Sequence, residues 1–231
     1  MSPTNRWKAL DTSVSTQTAQ ATSISYTLTP GQAVNTIALL NISGGNSVTI
    51  SMTSALEGGA TVYTKTVDLS SLPVSADWWV WFYGVKAAPT QLILNDLPSY
   101  SDGVISVSLS GTSSLALGVL MIGRQRAFGV GIQHGARIGI QDYSRKEKND
   151  FGDTVLVQRA FAKRANFDMY VAKAEVDSFQ NFLAEVRATP CLWIGSTDYE
   201  STTIFGFYKN FDILISYPTY ADCSLELEGL T

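Results

Sequence analysis

The chain has 231 residues, enough for one large β domain or two small ones. It is 45% hydrophobic, 11% aromatic and only 16% charged, the make-up of an ordered globular protein rather than a disordered one. The formal net charge of -4 gives no global signal for nucleic-acid binding.

The N-terminus, Met1-Ser2-Pro3-Thr4-Asn5-Arg6-Trp7, lacks an apolar core of signal-peptide length. No apolar run is long enough to span a bilayer, and the most apolar one, Leu115 to Ile122, has the length of a buried strand. The expectation is a chain made in a cytoplasm that stays soluble, with no membrane span. Abundant Ser, Thr, Val, Ile and Tyr favour strands over helices.

The first half reads as an antiparallel β-sandwich. Its predicted strands are Ser23 to Leu28, Thr36 to Asn41, Ser47 to Thr53, Val62 to Val67, Trp78 to Tyr83, Gln91 to Leu94, Gly103 to Leu109 and Leu115 to Ile122. Turn signals lie between them at Pro30-Gly31, Ser43-Gly44-Gly45-Asn46, Gly58-Gly59, Ala88-Pro89 and Ser110-Gly111. Val48, Ile50 and Met52 alternate with hydroxyl residues, as do Ile105, Val107 and Leu109, so one face is apolar and the other polar. About eight strands at this spacing suggest a jelly-roll-like sandwich.

Within this half, Trp78-Trp79-Val80-Trp81-Phe82-Tyr83 admits two readings. On a strand, Trp79, Trp81 and Tyr83 share one face and Trp78, Val80 and Phe82 the other. That makes it a strand inside a sandwich or one covered by another subunit. Alternatively Trp78, Trp79, Trp81 and Tyr83 form a stacking platform for a host glycan.

Charge is concentrated in the second half. Only Arg6, Lys8, Lys65 and Lys86 of the 16 basic residues precede residue 123, and glycines 123, 129, 131 and 135 mark a boundary near residues 123 to 135. The domains expected are 1–123, a sandwich, and 124–231, a β domain with one helix. After the strand Ala136 to Ile140 comes a charged loop, Asp142 to Asp153, holding Asp142, Tyr143, Arg145, Lys146, Glu147, Lys148, Asp150, Phe151 and Asp153. It is long for a hairpin tip, and its mixed charges suit a register between subunits better than attraction to a polymer of one sign. A solvated loop is the plainer alternative. Arg159, Lys163 and Arg164 follow on or just after an extended segment. They either pair with nearby carboxylates, the simpler reading, or line the inner wall of a ring through which nucleic acid or an extended protein passes.

Phe167, Met169 and Val171 alternate into a helix from about Ala174 to Arg187, whose stripe Val176, Phe179, Leu183 and Val186 recurs at steps of three and four. Pro190 marks its end. Strands are predicted at Cys191 to Ile194, Thr203 to Tyr208, Phe211 to Ser216 and Cys223 to Leu230. Cys191 and Cys223 are read as two reduced core thiols, with a disulfide between neighbouring strands left open.

Catalytic motifs are lacking. His134 is the only histidine, and there is no Gly-x-Ser-x-Gly elbow and no phosphate-binding glycine loop. The carboxylates Asp96, Asp102, Asp198 and Glu200 sit in turn-like surroundings. Neither an enzyme, a cofactor nor a metal site is expected.

Several segments carry a family resemblance: Gly118-Val119-Leu120-Met121-Ile122-Gly123-Arg124, Gly139-Ile140-Gln141-Asp142-Tyr143-Ser144, Phe151-Gly152, Gln158-Arg159-Ala160-Phe161-Ala162-Lys163-Arg164, Phe205-Gly206-Phe207-Tyr208-Lys209 and Leu225-Glu226-Leu227-Glu228-Gly229-Leu230. In order and spacing this region, residues 118 to 231, resembles the C-terminal part of phage tail-tip and baseplate proteins of the distal-tail class. The resemblance implies a tail-tube-like β-sandwich or barrel flanked by one helix, and copies closing into a homo-oligomeric, hexameric ring. The implied neighbours are the tail tube protein and other tail-tip or baseplate proteins, in the virion, with nucleic acid met only in passage. The segment 142 to 153 would match the long hairpin that contacts a neighbouring subunit or ring. The first half is similar to the galactose-binding-like or galectin-like sandwiches attached to such proteins, although there the tube-like domain comes first. No sugar-binding residue carries over.

Overall fold

Alternating apolar and polar residues run through much of this chain. In the computed structural model, which describes residues 6–69, 77–83, 88–148, 152–196 and 198–230, they form thirteen strands. The protein is mainly β and of the sandwich- or barrel-like class. It divides into two compact units, Met1–Gln125 and Arg126–Thr231.

The first unit holds β1 (Thr18–Gln20), β2 (Ser23–Leu28), β3 (Thr36–Ser54), β4 (Ala60–Asp68), a short helix α1 (Trp78–Tyr83), β5 (Gln91–Leu94) and β6 (Val104–Gly123). The long strands β3 and β6 are antiparallel along their whole length, from Thr36 opposite Gly123 to Thr53 opposite Val104. This corrects the expectation of turns at Ser43 to Asn46 and at Ser110-Gly111. Neither is a turn; both are points where one continuous strand bends. The register slips at Ser43/Gly45 and Gly45/Ser47. Gly44 has φ +69°, and a Cβ there would lie 2.4 Å from the Ser114 carbonyl oxygen. A Cβ on Gly111 would lie 2.2 Å from the carbonyl oxygen of Gly44. Two backbones in such close approach make a bulge, which bends a strand without reversing it.

Beyond the bend each half takes different outer partners. One half of β3 pairs with β5 and the other with β4, while β6 takes β1 and β2 in the same way. The sheet thereby curls over one core, in which Ile37, Leu39, Leu115 and Leu117 from one half meet Val48, Ile50, Met52, Ile105, Val107 and Leu109 from the other.

A second correction concerns the aromatic segment, which is a helix and not a strand. Asp77 Oδ1 accepts a hydrogen bond from the Trp79 backbone N–H at 2.9 Å, a cap at the first turn. The rings then pair at i,i+4 spacing: Trp78 with Phe82 (centroids 6.3 Å apart) and Trp79 with Tyr83 (4.4 Å). Capping and local ring pairs outweigh the strand propensity of aromatic residues.

The second unit holds β7 (Arg137–Asp142), β8 (Arg145–Lys148), β9 (Thr154–Val157), β10 (Phe161–Ala172), α2 (Val176–Glu185), β11 (Cys191–Ile194), β12 (Thr203–Leu214) and β13 (Tyr220–Gly229). Five of these strands form an antiparallel sheet in the order β11-β12-β13-β10-β7, and β8 pairs with β9. One face of the sheet is apolar. Ala165, Phe167 and Val171 of β10, Ile204 of β12, and Cys223, Leu225 and Leu227 of β13 are buried in one cluster with Phe179 and Leu183 of α2. Tyr208 Oη donates to the Leu183 carbonyl oxygen at 2.9 Å, and Phe128 packs on Phe179 and Phe182.

The helix is shorter than the apolar stripe predicted. A 3-10 turn, Lys173–Glu175, precedes it, and Ala188 with φ +56° ends the segment before Pro190. The strands expected at Thr203 to Tyr208 and Phe211 to Ser216 are one strand with a bulge between Tyr208 and Asn210. None of the helices among the described residues is long and apolar enough to cross a membrane.

Candidate interaction surfaces

The charged segment from Asp142 to Asp153 is the clearest candidate, and much of it is β structure rather than loop. Asp142 at the end of β7 pairs with Phe161 of β10, and the Tyr143 backbone N–H donates to the Ala160 carbonyl oxygen at 3.3 Å. The Arg159 N–H donates to Ser144 Oγ at 3.1 Å. The ladder then resumes with Arg145 opposite Val157 and Lys148 opposite Thr154. Two residues, 143 and 144, face three, 158 to 160, so a bulge separates the hairpin from its parent sheet. From Asp142 to Lys148 the arm spans about 20 Å of extended chain at the usual strand rise.

Asp142 anchors the root of this arm. Its carboxylate takes the Ser144 backbone N–H at 2.9 Å and pairs with Lys146 Nζ at 2.8 Å. Hydrogen bonding from Lys146 first, then from Ser144, holds the Asp142 carboxyl well below the usual carboxylate range. Arg145 pairs with Glu147. Tyr143 Oη donates to Glu228 Oε1 at 3.4 Å and ties the root to β13.

The opposite strand of the arm is apolar and bare. Leu156 is 69% exposed, and Val155 and Val157 are also exposed. Arg145, Glu147, Val155 and Val157 share one face by register and line a shallow hollow with Lys148. At the root, Ile140 of β7 and Phe161 of β10 are exposed as well. Asp150 and Phe151 lie outside the described residues; Asp153 is exposed beside β9.

The three basic residues after the arm are not brought together. Arg159 lies between β9 and β10. Lys163 and Arg164 are consecutive on β10 and so point to opposite faces. Arg164 lies over Gly139 on the polar face, opposite Glu228 of β13, whereas Lys163 shares the parity of the helix-covered face.

That polar face carries Arg164, Asn166, Asp168 and Tyr170 of β10, Asp222, Ser224, Glu226 and Glu228 of β13, and Asn210, Asp212 and Leu214 of β12. At the end away from the arm, Tyr217 stacks on Tyr220 (4.4 Å) and Tyr170 meets Tyr220 edge-on (5.1 Å). Leu214 and Ile215 beside them are exposed. Burial first, then the neighbouring Tyr217, raises the Tyr220 hydroxyl above its ordinary pKa. Sequence reasoning missed this tyrosine cluster. The only local trace is the run Tyr217-Pro218-Thr219-Tyr220, and Tyr170 joins it only through strand pairing.

No protein-family model matches the chain, and no curated protein matches it.

In the first unit, α1 exposes Trp78 (76%), Trp79 (69%) and Tyr83 (71%) together with Phe82. At i, i+1, i+4 and i+5 these four rings lie on one side of the helix. The side chain of Trp81 lies outside what the structure describes.

Asp96 and Asp102 are engaged structurally. Asp96 accepts from Tyr63 Oη at 2.8 Å and from Lys65 Nζ at 2.7 Å. Asp102 accepts from Ser54 Oγ and from the Leu56 N–H at 2.8 Å, clamping a turn. Both cysteines are free. Gly206, the partner of Cys191, pairs with Gly229, so Cys191 sits six residues along β13 from Cys223, about 20 Å away. This closes the disulfide alternative. Burial, then the Asp168 and Asp212 carboxylates, pushes the Cys223 thiol up to about 11. No cluster of three metal-ligating side chains occurs among the described residues.

Proposed function

We propose that this chain is a phage virion structural protein that forms a ring at the tail tip or baseplate and connects the tail tube to the receptor-binding apparatus. Its work in this reading is assembly, not catalysis. The observation that carries it is the β8–β9 arm. A two-stranded ribbon is marginal in isolation, and this one holds Val155, Leu156 and Val157 in solvent with an ordered row of charges opposite. Such a ribbon suits burial against a neighbouring subunit, with the charges setting register. The partners proposed are further copies of the chain in a six-fold ring, the tail tube protein and other tail-tip proteins. Electron microscopy of the intact particle tests the reading. A closed ring of this chain at the tail tip supports it; a chain that stays monomeric with its neighbouring tail proteins present overturns it.

A second reading is favoured by α1. Its exposed rings, Trp78, Trp79 and Tyr83, suit stacking on the apolar face of a sugar, which would make the first unit a carbohydrate-binding module at the host surface. Titration of tryptophan fluorescence with host polysaccharide is expected to show a saturable change that Trp79→Ala reduces. No change at millimolar sugar would remove this reading.

A further inference from the structure

The sheet of the second unit has two ends of complementary chemistry. The arm at one end presents Val155, Leu156 and Val157 with Arg145, Lys146 and Lys148. Arg145 and Lys146 already have carboxylate partners on the arm, while Lys148 has no ion pair among the described residues. The other end presents Tyr170, Tyr217 and Tyr220 with Leu214 and Ile215. Beside them, Asp168 and Asp212 flank Ser224 from either side, and Asp222 stands between Tyr170 and Leu214. None of these three aspartates has an ion pair among the described residues. Carboxylates gathered on neighbouring strands repel one another.

We propose that the β8–β9 arm of one copy docks on the tyrosine–aspartate end of the next copy's sheet, giving head-to-tail assembly through one repeated contact. This rests on the self-assembly reading above and adds the receiving surface. Distance decides that the contact is between copies. The arm is rooted beside Phe161, at the start of β10, and the tyrosine cluster surrounds Ala172, at its end. Those twelve residues span about 35 Å, and an arm of about 20 Å rooted at one end cannot reach the other end of its own sheet. The chemistry decides the occupant. Aliphatic side chains of β9 meet tyrosine rings, a residue type enriched at well-packed contacts. The ammonium of Lys148 meets the aspartates and the ring faces. Because the two patches differ, the contact is heterologous, and repetition closes into a ring or runs on as a filament.

Sedimentation of the full chain over a range of concentrations and salt tests this. Leu156→Asp removes the arm's contact and Tyr217→Asp removes the receiving one. Both positions are exposed, and circular dichroism checks that each variant folds. Each change is expected to weaken self-association about tenfold or more. Mixed in equal amounts, the two variants should form a heterodimer, since one intact arm and one intact receiving end remain. Lys148→Asp should weaken assembly and the added change Asp222→Lys should restore it. Assembly of the unaltered chain should fall as salt rises. Unimpaired assembly of both variants, or no heterodimer in the mixture, overturns the docking surface and leaves the ring reading standing. An unaltered chain that is monomeric at every concentration also overturns the docking surface, and the ring reading falls with it only if the chain stays monomeric with its neighbouring tail proteins present.

Discussion

Gly44 shows how much one missing methyl group can decide. It combines φ +69° with a carbonyl oxygen 2.4 Å from where its Cβ would be. Gly58 has a similar φ of +67° with nothing within 4 Å. Gly58→Ala is therefore expected to cost only the left-handed penalty, about 1 kcal/mol. Gly44→Ala adds a backbone clash and should cost about 3 kcal/mol or more. Urea unfolding of the two variants makes the comparison, and equal losses would contradict the bulge. The Asp142 carboxylate provides a test by pH. Its pKa in the folded chain is lowered, chiefly by Lys146, so its contribution is present above the unfolded value near 3.9 and is lost as acid takes the pH through the folded one. A carbon-detected titration should place Asp142 below an ordinary aspartate, and Lys146→Ala should move it back up. The thiol at Cys223 runs the other way. Its raised pKa favours the neutral form below the unfolded value and is a penalty once the pH climbs toward 11. Iodoacetamide at pH 8 should leave Cys223 nearly unmodified in the native chain and label it in denaturant.

Among the elements, α2 had a place in the core that was readable from its spacing. Phe179 and Leu183, two of the four stripe positions, are buried against the sheet. Leu183→Ala should cost about 3 kcal/mol, because a fully buried leucine leaves a cavity that its neighbours only partly fill. Chemical denaturation measures it, and a loss under about 1 kcal/mol would mean that α2 does not complete this core. The final strand was readable for the same reason. Cys223, Leu225 and Leu227 are buried and Ser224 is exposed, the alternation that period two demands. Other boundaries were not readable. Glycine pairs at 44–45 and a Ser-Gly at 110–111 mark turns and bulges alike, and which one forms depends on the strand lying opposite. The aromatic run carries a strand-like composition, yet Asp77 before it and rings four residues apart within it make a helix.

For the whole molecule, the division into two units with separate apolar clusters makes a direct prediction. Residues 1–125 and 126–231, produced as separate pieces, should each give a cooperative unfolding transition, since each carries its own core. A piece that remains unfolded on its own would show that its core needs the rest of the chain. The candidate interaction surfaces live at this scale too. The charged stretch 142–153 stood out because charge is scarce elsewhere in the chain. The tyrosine–aspartate end did not, because its residues come from positions 168–170, 212–217 and 220–222 and meet only through the pairing of three strands.

Taken by itself, the order of amino acids determined the β class, the alternation of buried and exposed positions, the stripe of α2 and the charge of the stretch 142–153, because each is written in neighbours a few residues apart. Tertiary structure alone decided that glycine-marked breaks are bends within continuous strands, that Tyr170 joins Tyr217 and Tyr220 in one cluster, and that Cys191 and Cys223 are too distant to bond. Those outcomes depend on which backbone lies across the ladder, and such long-range pairing leaves no local signature.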